Sequence, residues 1–301
     1  MNREKIAAAL ENAQKSTTAG FGAAFMDLES GYTASVNGDK PFPLASVFKV
    51  YVLAEFFRLV EAGELSLDER IELTADMIVA GSGILKNMRP GMSLTMYDYA
   101  YLMMAYSDNT ATDLVTRAVG LERVRKNILE AFDLAKTQVD YTCRELLAIT
   151  YDKFEPDGEV DKHTGKLTYR NGDYFRCTAD KNDQSTPNDL MRFFKLMYDG
   201  VLPNAAAAKQ ALEMMKKCGT NSRIPARLPL SVEVAHKTGS LGRLANDAGI
   251  VYTAKGNYIL VLSYNGNVAD YDEYCDNFRN SFGADILSKL SREVYDAYVE
   301  E

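Results

Sequence analysis

The sequence contains few histidines and carries no net positive charge. Its 301 residues include only two histidines, His163 and His236, which argues against a zinc site built on histidine. The same scarcity argues against a Ser-His-Asp triad, unless His236 were its base. A net charge of −8 and a pI near 5.1 argue against nucleic acid or an anionic membrane as the main partner.

Closely spaced cysteines and long apolar runs are also absent from the sequence. The four cysteines form no C-x-x-C and no metal-ligand spacing: Cys143, Cys177, Cys218 and Cys275. We interpret them as free buried thiols, with one disulfide as the alternative if the protein is exported. No apolar run approaches the ~20 residues of a membrane helix. The charged start MNREKIAAALENAQKS is unlike a signal peptide, so the sequence favours either the cytoplasm or export after loss of a leader.

Hydrophobic periodicity predicts an α+β fold of two lobes. The predicted strands are 21–27, 32–36, 232–237, 248–253 and 258–264. The predicted helices are 3–15, 43–63, 109–120, 122–132, 186–198, 205–217 and 271–299, the last broken near Gly283. We expect an antiparallel five-stranded sheet flanked by the terminal helices, formed by 1–45 and 205–301. An all-helical lobe, 46–204, completes a single integrated catalytic domain.

Local signals refine this outline at three places. Thr95 and Asp98 fit a capping box at the start of a helix. Ser66-Leu67-Asp68-Glu69 resembles another helix start. Asn171-Gly172, a strong hairpin turn, predicts a β-hairpin insertion at about 166–178, with a disordered surface loop as the alternative.

The stretch from Pro43 to Gly63 carries the first candidate for chemistry. Pro43 precedes an apolar run with helical spacing, and Ser46 and Lys49 lie three residues apart. In the first turn of a helix the two side chains would share a face, beside the positive field of the N-terminus. An activated serine is one interpretation of this pair. An N-cap serine with a solvated lysine is the other.

Two further short motifs follow in order along the chain. Ser107-Asp108-Asn109 lies at a predicted helix–helix junction, and Lys237-Thr238-Gly239 ends a predicted strand before a turn. Alone, each motif is equally compatible with a capped helix or a strand end. Together with Ser46 and Lys49, their order favours one shared site.

These residues resemble a known family, the penicillin-recognising serine hydrolases, which include class A β-lactamases and related penicillin-binding proteins. The surrounding segments are similar as well: FPLASVFKVYVLAEFFRLVEAGELSLDERI, GSGILKNMRPGMSLTMYDYAYLMMAYSDNTATDL, STPNDLMRFFKLM and AHKTGS. Together they span about 21–270. The resemblance implies a two-lobe β-lactamase/transpeptidase-like fold, a role in antibiotic resistance and an extracytoplasmic location.

The resemblance also implies catalytic roles. Ser46 attacks a carbonyl and forms an acyl-enzyme, while Lys49, desolvated next to a second cation, accepts the proton. Ser107 and Lys237 relay a proton to the leaving nitrogen. The backbone N–H groups of Ser46 and Ser240 form the oxyanion hole.

Substrate binding is implied for the neighbouring positions. Asn109 donates to a substrate amide. Thr238 and Ser240, with Gly239 between them, bind a substrate carboxylate beside the Lys237 charge.

Two features of the family pattern are missing. Class A β-lactamases carry a Glu that activates the deacylating water, but with Arg144 aligned to the family's Arg that position is Leu146. Glu145, one residue early, and Glu155 are the remaining candidates for a deacylation base.

The second missing feature is the Arg that binds the substrate carboxylate. The segment ANDAGIV carries Asp247 and no Arg, which leaves Arg223 and Arg243 as candidates.

The sequence therefore predicts a monomeric serine hydrolase that uses Ser46, requires no metal or cofactor and opens a β-lactam or similar amide. A peptidase or esterase acting on another acyl or peptide substrate is an alternative. A penicillin-binding sensor or trap, in which Ser46 stays acylated, is the other.

Overall fold

The computed structural model describes residues 1–152, 159–160, 167–168, 182–241, 244–266 and 282–300. Its helices are α1 (Arg3–Lys15), α2 (Lys49–Glu61), α3 (Met96–Ala105), α4 (Asn109–Val119), α5 (Leu121–Val124), α6 (Cys143–Asp152), α7 (Pro187–Tyr198), α8 (Ala205–Met215) and α9 (Phe282–Val299). Its strands are β1 (Gly20–Asp27), β2 (Thr33–Val36), β3 (Phe42–Pro43), β4 (Arg70–Glu72), β5 (Ser93–Thr95), β6 (Glu159–Val160), β7 (Leu167–Thr168), β8 (Gln184–Ser185), β9 (Glu233–Leu241), β10 (Leu244–Thr253) and β11 (Gly256–Asn265).

The main sheet has five antiparallel strands, as predicted, and their order is β2-β1-β11-β10-β9. Strands from both ends of the chain pair directly, with β1 beside β11. One apolar core lies between the sheet and the terminal helices α1 and α9 and includes Ile6, Phe25 and Leu287. A larger core surrounds α2, which is buried along most of its length, and joins the helical part to the other side of the sheet. The α+β prediction is confirmed.

Local predictions between residues 64 and 132 meet different outcomes. Thr95 and Asp98 form the predicted capping box at the start of α3. The helix predicted to begin at 66–69 is wrong, because Ile71 alternates in burial with its neighbours and pairs with Leu94 in the β4–β5 ladder. The helix predicted for 122–132 is a short α-helix, α5, continued by a π-helical segment over Arg125–Glu130.

Three predicted boundaries change. The helix carrying Lys49 begins at Lys49 itself, since Ser46 lies in a preceding 3-10 turn. The Lys237-Thr238-Gly239 motif does not end a strand, because β9 runs on to Leu241 and pairs with β10 along its length. The described part of the last helix starts at Phe282, so Gly283 lies in its first turn.

Most of the hairpin predicted at 166–178 lies outside the described residues. Its described part, β7, pairs antiparallel with the upstream strand β6. Cys143 and Cys218 are free and buried, whereas Cys177 and Cys275 fall outside the described ranges. Among the helices described, none combines the length and apolarity needed to cross a bilayer.

Candidate active site

Ser46 lies in a short 3-10 turn, Ala45–Phe48, that leads directly into α2. The residue before it, Ala45, has a φ of +43°, in the left-handed region where a non-glycine residue costs on the order of 1–3 kcal/mol. This strained turn redirects the chain between β3 and α2. It leaves Ser46 half-buried at the junction of the sheet and the helices.

Strand β9 approaches this turn closely because Gly239 has no side chain. A Cβ at Gly239 would lie 2.4 Å from the carbonyl oxygen of Leu44 and 3.3 Å from the backbone nitrogen of Ser46. From the adjacent strand, Asn246 Nδ2 donates to the carbonyl oxygen of Pro43 at 2.7 Å. The sheet and the serine turn are therefore held against each other by backbone contacts.

Lys49 is fully buried and reaches across to the start of α4. Its Nζ donates to the carbonyl oxygen of Ser107 at 2.8 Å, to Ser107 Oγ at 3.1 Å and to Asn109 Oδ1 at 3.1 Å. Burial lowers the pKa of Lys49, and the nearby Cys143 and Asp108 offset only part of that effect. A buried lysine of this kind can serve as a proton acceptor.

The Ser107-Asp108-Asn109 motif is shaped by its own backbone and by the loop in front of it. Ser107 has a φ of +54°. Asp108 is the N-cap of α4, and its Oδ1 accepts from the Ala111 N–H at 3.0 Å. Its Oδ2 accepts from the N–H groups of Ile84 and Leu85 at 2.6 and 2.8 Å. Asp108 thus fixes one wall of the cleft and Ser107 with it.

Lys237 supplies a second buried lysine from β9. Its Nζ donates to the carbonyl oxygen of Thr238 at 2.9 Å. The pKa of Lys237 is lowered to about 8, mainly by burial; the charge of Cys218 opposes this shift and the charge of Lys49 adds to it. Lys49 and Lys237 are therefore two buried lysines with lowered pKa, and the charge of Lys49 acts on Lys237.

A buried arginine lies beneath the end of β9. The Arg223 side chain is 1% exposed. Its Nη1 donates to the carbonyl oxygens of Gly239 at 2.9 Å and Asn246 at 2.5 Å, and its Nη2 donates to Ser240 Oγ. Of the two arginines named from the sequence, Arg223 therefore contacts Ser240, whereas Arg243 lies outside the described residues.

The candidate deacylation bases are placed differently. Glu145 is exposed, and its Oε2 accepts from the Thr142 N–H at 2.8 Å and from Thr142 Oγ1 at 2.9 Å. It therefore caps the start of α6. Glu155 lies outside the described residues. The group of α6 that interacts with Lys49 is the buried thiol of Cys143.

Two aspartates, the half-buried Asp113 and the buried Asp183, anchor the segment that leads into α6. Asp113, on α4, accepts from the N–H groups of Cys143 and Arg144 at 2.7 and 3.0 Å. Asp183 Oδ1 accepts from the N–H groups of Asp140 and Tyr141 at 2.8 and 3.1 Å.

These carboxyls are strongly desolvated. Burial raises the pKa of Asp113 above its ordinary value and that of Asp183 to about 7. The backbone of this segment is thus fixed, and the charge of Asp113 also acts on Lys49.

Asn246 is a structural contributor that sequence patterns did not assign, whereas Arg223 was a candidate by its residue type alone. The register of β9 and β10 places Asn246 opposite Gly239, which only the pairing of the strands reveals. Arg223 comes from the segment after α8 and carries no motif. Over the described ranges, no group of three or more His, Cys, Asp or Glu side chains has the arrangement of a metal site.

The comparison with protein families gives a match over nearly the whole chain. The model of the "Beta-lactamase enzyme family" matches residues 2–298. The chain belongs to this family.

Curated relatives of this family member share about a quarter of its residues. β-Lactamase CARB-4 of Pseudomonas aeruginosa is 23% identical over 291 residues, covering 95% of this chain and 87% of the relative. β-Lactamase PSE-4 of the same organism is 24% identical over 288 residues, covering 95% and 88%. A β-lactamase of Bacteroides uniformis is 25% identical over 287 residues, covering 89% and 83%.

Solved structures share the fold. A β-lactamase from Sphaerobacter thermophilus superposes with a TM-score of 0.77 at 24% identity, covering 99% of this chain and 98% of the other. A variant of PBP-A, solved as an acyl-enzyme complex with penicillin G, superposes with a TM-score of 0.75 at 24% identity, covering 99% and 97%. The β-lactamase fold of the chain follows from these matches.

Proposed function

We propose that this protein is a serine hydrolase that opens a β-lactam or a similar amide by acylating Ser46. The observation that carries the proposal is the environment of Lys49. Lys49 is the first residue of α2, just after the turn that holds Ser46. Its buried Nζ donates to Ser107 and Asn109, and its pKa is lowered. Lys49 follows Ser46 by three residues, a spacing that suits a serine nucleophile activated by an adjacent base.

Acylation needs a proton path and charge stabilisation. Lys49 takes the Ser46 proton as the Ser46 oxygen attacks the amide carbonyl. The Ser107 hydroxyl, 3.1 Å from Lys49 Nζ, passes a proton to the leaving nitrogen, with Lys237 charged nearby. The backbone N–H groups of Ser46 and Ser240 stabilise the oxyanion, an arrangement favoured by the close approach of Gly239.

Arg223 supplies the charge for a substrate carboxylate. Its Nη2 donates to Ser240 Oγ, and it approaches the end of β9 from below. The hydroxyls of Thr238 and Ser240 contact the carboxylate, and Arg223 and Lys237 stabilise its charge. Asn109 donates to the substrate amide from the opposite side of the cleft.

Hydrolysis of the acyl-enzyme is the slow step in this proposal. The Cys143 thiol of α6 interacts electrostatically with Lys49, and burial raises its pKa to about 12, so it does not act as a base near neutral pH. This feature also favours a second function, a penicillin-binding peptidase or trap in which the acyl group persists. The PBP-A variant with a comparable fold, solved as an acyl-enzyme with penicillin G, supports that direction.

The direct test is acylation by a chromogenic lactam followed by intact mass and peptide mapping. We expect one adduct per chain, located on Ser46, and its loss in Ser46→Ala. Ser35→Ala, a change on strand β2 away from the cleft, is the matched control and should retain the adduct. Absence of both colour and adduct, or an adduct that survives Ser46→Ala, would overturn the proposal.

A further inference from the structure

A buried polar cluster lies beside Lys237 but takes no part in the reaction proposed above. His236 precedes Lys237 on β9 and is 1% exposed. Its Nδ1 lies 2.8 Å from Asp247 Oδ1, and its Nε2 lies 3.3 Å from Asn221 Oδ1. Cys218 also bonds to the imidazole. One ring therefore joins β9 to β10 and to the segment that follows α8.

The imidazole in this cluster is charged. Both ring nitrogens face oxygen acceptors, so each is placed to donate. Burial by itself lowers the pKa of His236, but the charges of Asp247 and Cys218 outweigh it and raise the pKa to about 10. His236 and Asp247 form a buried ion pair, with side chains 1% and 0% exposed.

Asp247 connects this ion pair to Arg223. Its Oδ1 lies against His236, while its Oδ2 accepts from the Ile224 N–H at 3.0 Å. Ile224 directly follows Arg223 and begins a 3-10 turn, Ile224–Arg227. The charge of Asp247 also raises the pKa of Arg223 against the larger lowering effect of burial. Asp247 thus fixes both the backbone and the charge of the residue that reaches Ser240.

Strands β9 and β10 approach each other closely at His236 and Gly249. Gly249 pairs with His236, and a Cβ at Gly249 would lie 2.2 Å from the Ala235 carbonyl oxygen and 2.6 Å from His236 Cβ. Only glycine admits His236 at this depth. The imidazole is therefore held in one position by packing as well as by its acceptors.

We propose that His236 and Asp247 are positioning residues that hold Arg223 beneath Ser240 and thereby set a preference for substrates with a free carboxylate. The inference rests on the proposed function, because that preference has meaning only if the cleft acylates. Neither residue contacts the substrate. Both act through the backbone and the guanidinium of Arg223.

The test compares one penicillin, as the free acid and as its methyl ester, in the rate of adduct formation on Ser46. Wild type should prefer the acid. Asp247→Asn and His236→Gln should lower that preference by roughly 10-fold, the scale of one charge-assisted hydrogen bond, while leaving the ester rate nearly unchanged. Arg223→Gln should lower it at least as much. Combining Arg223→Gln with Asp247→Asn should add no further loss of preference.

Two controls separate positioning from general stability. Asp27→Asn removes a buried carboxylate that accepts from Tyr298 Oη at 2.9 Å on the far face of the same sheet, and it should leave the preference intact even if it lowers Tm. Asn221→Ala changes an exposed residue and removes one acceptor of His236. It should fold and show a smaller loss of the same preference.

Equal losses for acid and ester in the folded variants would overturn the inference and leave a purely structural ion pair. An unchanged preference in Asn221→Ala, His236→Gln and Asp247→Asn would overturn it as well. If wild type forms an adduct with neither compound, the proposed function itself is wrong and the inference with it.

Discussion

The two sides of the cleft differ in what their helices bring to Lys49. On the acylation side, Asn109 Oδ1 at the start of α4 and Ser107 Oγ just before its N-cap both lie 3.1 Å from Lys49 Nζ. On the opposite side, the buried Cys143 thiol of α6 interacts electrostatically with Lys49, and the exposed Glu145 caps the first turn of its own helix. Both helices are held by hydrogen bonds at their starts, so the two sides differ in the chemical groups near Lys49 and not in how well those helices are fixed.

This contrast separates two demands that a hydrolase must meet. Acylation uses groups that remain in place whether or not the ester is later hydrolysed. Deacylation needs a base that activates water. In the described part of the chain, the carboxylates whose charges act on Lys49 are Asp108 and Asp113, and both already accept from backbone N–H groups. A cleft of this kind is suited to fast acylation and slow release, and each prediction below tests one side of it.

The largest effect is expected on the acylation side, from Lys49→Met. The change removes the base while keeping the length and apolar stem of a fully buried side chain. We expect the rate of adduct formation on Ser46 to fall by roughly 100- to 10,000-fold, the range for loss of a general base. Stopped-flow measurement with a chromogenic lactam tests this. Lys136→Met, at an exposed ion pair with Asp39, is the control, and equal rates in the two variants would contradict the role of Lys49.

The second effect is expected on the α6 side, where Cys143→Glu should supply a base for deacylation. Cys143→Glu places a carboxylate beside Lys49, where it can activate water against the acyl-enzyme. We expect hydrolysis of the adduct to accelerate by about 10- to 100-fold, less than a fully optimised base provides. The decay of the adduct mass after removal of free lactam is the measurement.

Cys143→Gln separates the base from the change in size. It has the same shape as the Glu variant but no proton-accepting carboxylate. Similar decay rates in the Glu and Gln variants would show that the α6 side is not deficient in a base.

A smaller effect is expected from Asn246→Ala. The Asn246 amide ties β10 to the carbonyl oxygens of Pro43 and Leu44, so its loss loosens the serine turn against β9. Acylation should slow by about 10-fold, with little effect on the decay of the adduct. Asn257→Ala is the control on the same sheet: it removes a hydrogen bond from β11 to Tyr198 of α7 and should change neither rate. Slower decay in Asn246→Ala would indicate that the sheet also serves hydrolysis.

The smallest effect is a pH dependence of stability from Asp183, which anchors the segment before α6. Burial raises the pKa of Asp183 to about 7, with Asp140 and Glu145 adding like charge, while the N–H groups of Asp140 and Tyr141 oppose the shift. The folded protein therefore keeps this proton where the unfolded chain has lost it. Wild-type stability should fall, relative to Asp183→Asn, as pH rises from about 4 towards about 7.

Thermal unfolding at acidic and at mildly alkaline pH measures this difference. The Tm of Asp183→Asn relative to wild type should be a few degrees higher on the alkaline side than on the acidic side. Asp39→Asn, at an exposed carboxylate, should show no such gain. A Tm difference that is the same at both pH values would contradict a protonated Asp183.

Sequence patterns predicted the sheet, α4 and the order of the motifs because these depend on local periodicity and turn chemistry. Thr95 and Asp98 are an example, since a capping box is decided within four residues. The start of α2 was not predictable in the same way. Ala45 adopts a positive φ that no sequence rule assigns to alanine, and it begins the 3-10 turn that holds Ser46 ahead of the helix.

The contributions of Arg223 and Asn246 depend on tertiary pairing. Arg223 becomes significant only when the segment after α8 passes beneath Gly239. Asn246 becomes significant only in the register that places it opposite Gly239. The cap formed by Glu145 is local by contrast, because Thr142 and Glu145 have the spacing of a capping box. The electrostatic interaction of Cys143 with Lys49 depends on how α6 packs, which no local pattern predicts.

One measurement tests the contrast between the two sides most directly. Wild-type protein is mixed with excess chromogenic lactam, and product release and the mass of the Ser46 adduct are followed in the same quenched samples. We predict a burst equal to the protein concentration, full occupancy of Ser46 during the burst and a much slower steady phase governed by decay of the adduct. Steady release from the first turnover, with no accumulation of the adduct at saturating lactam, would contradict it.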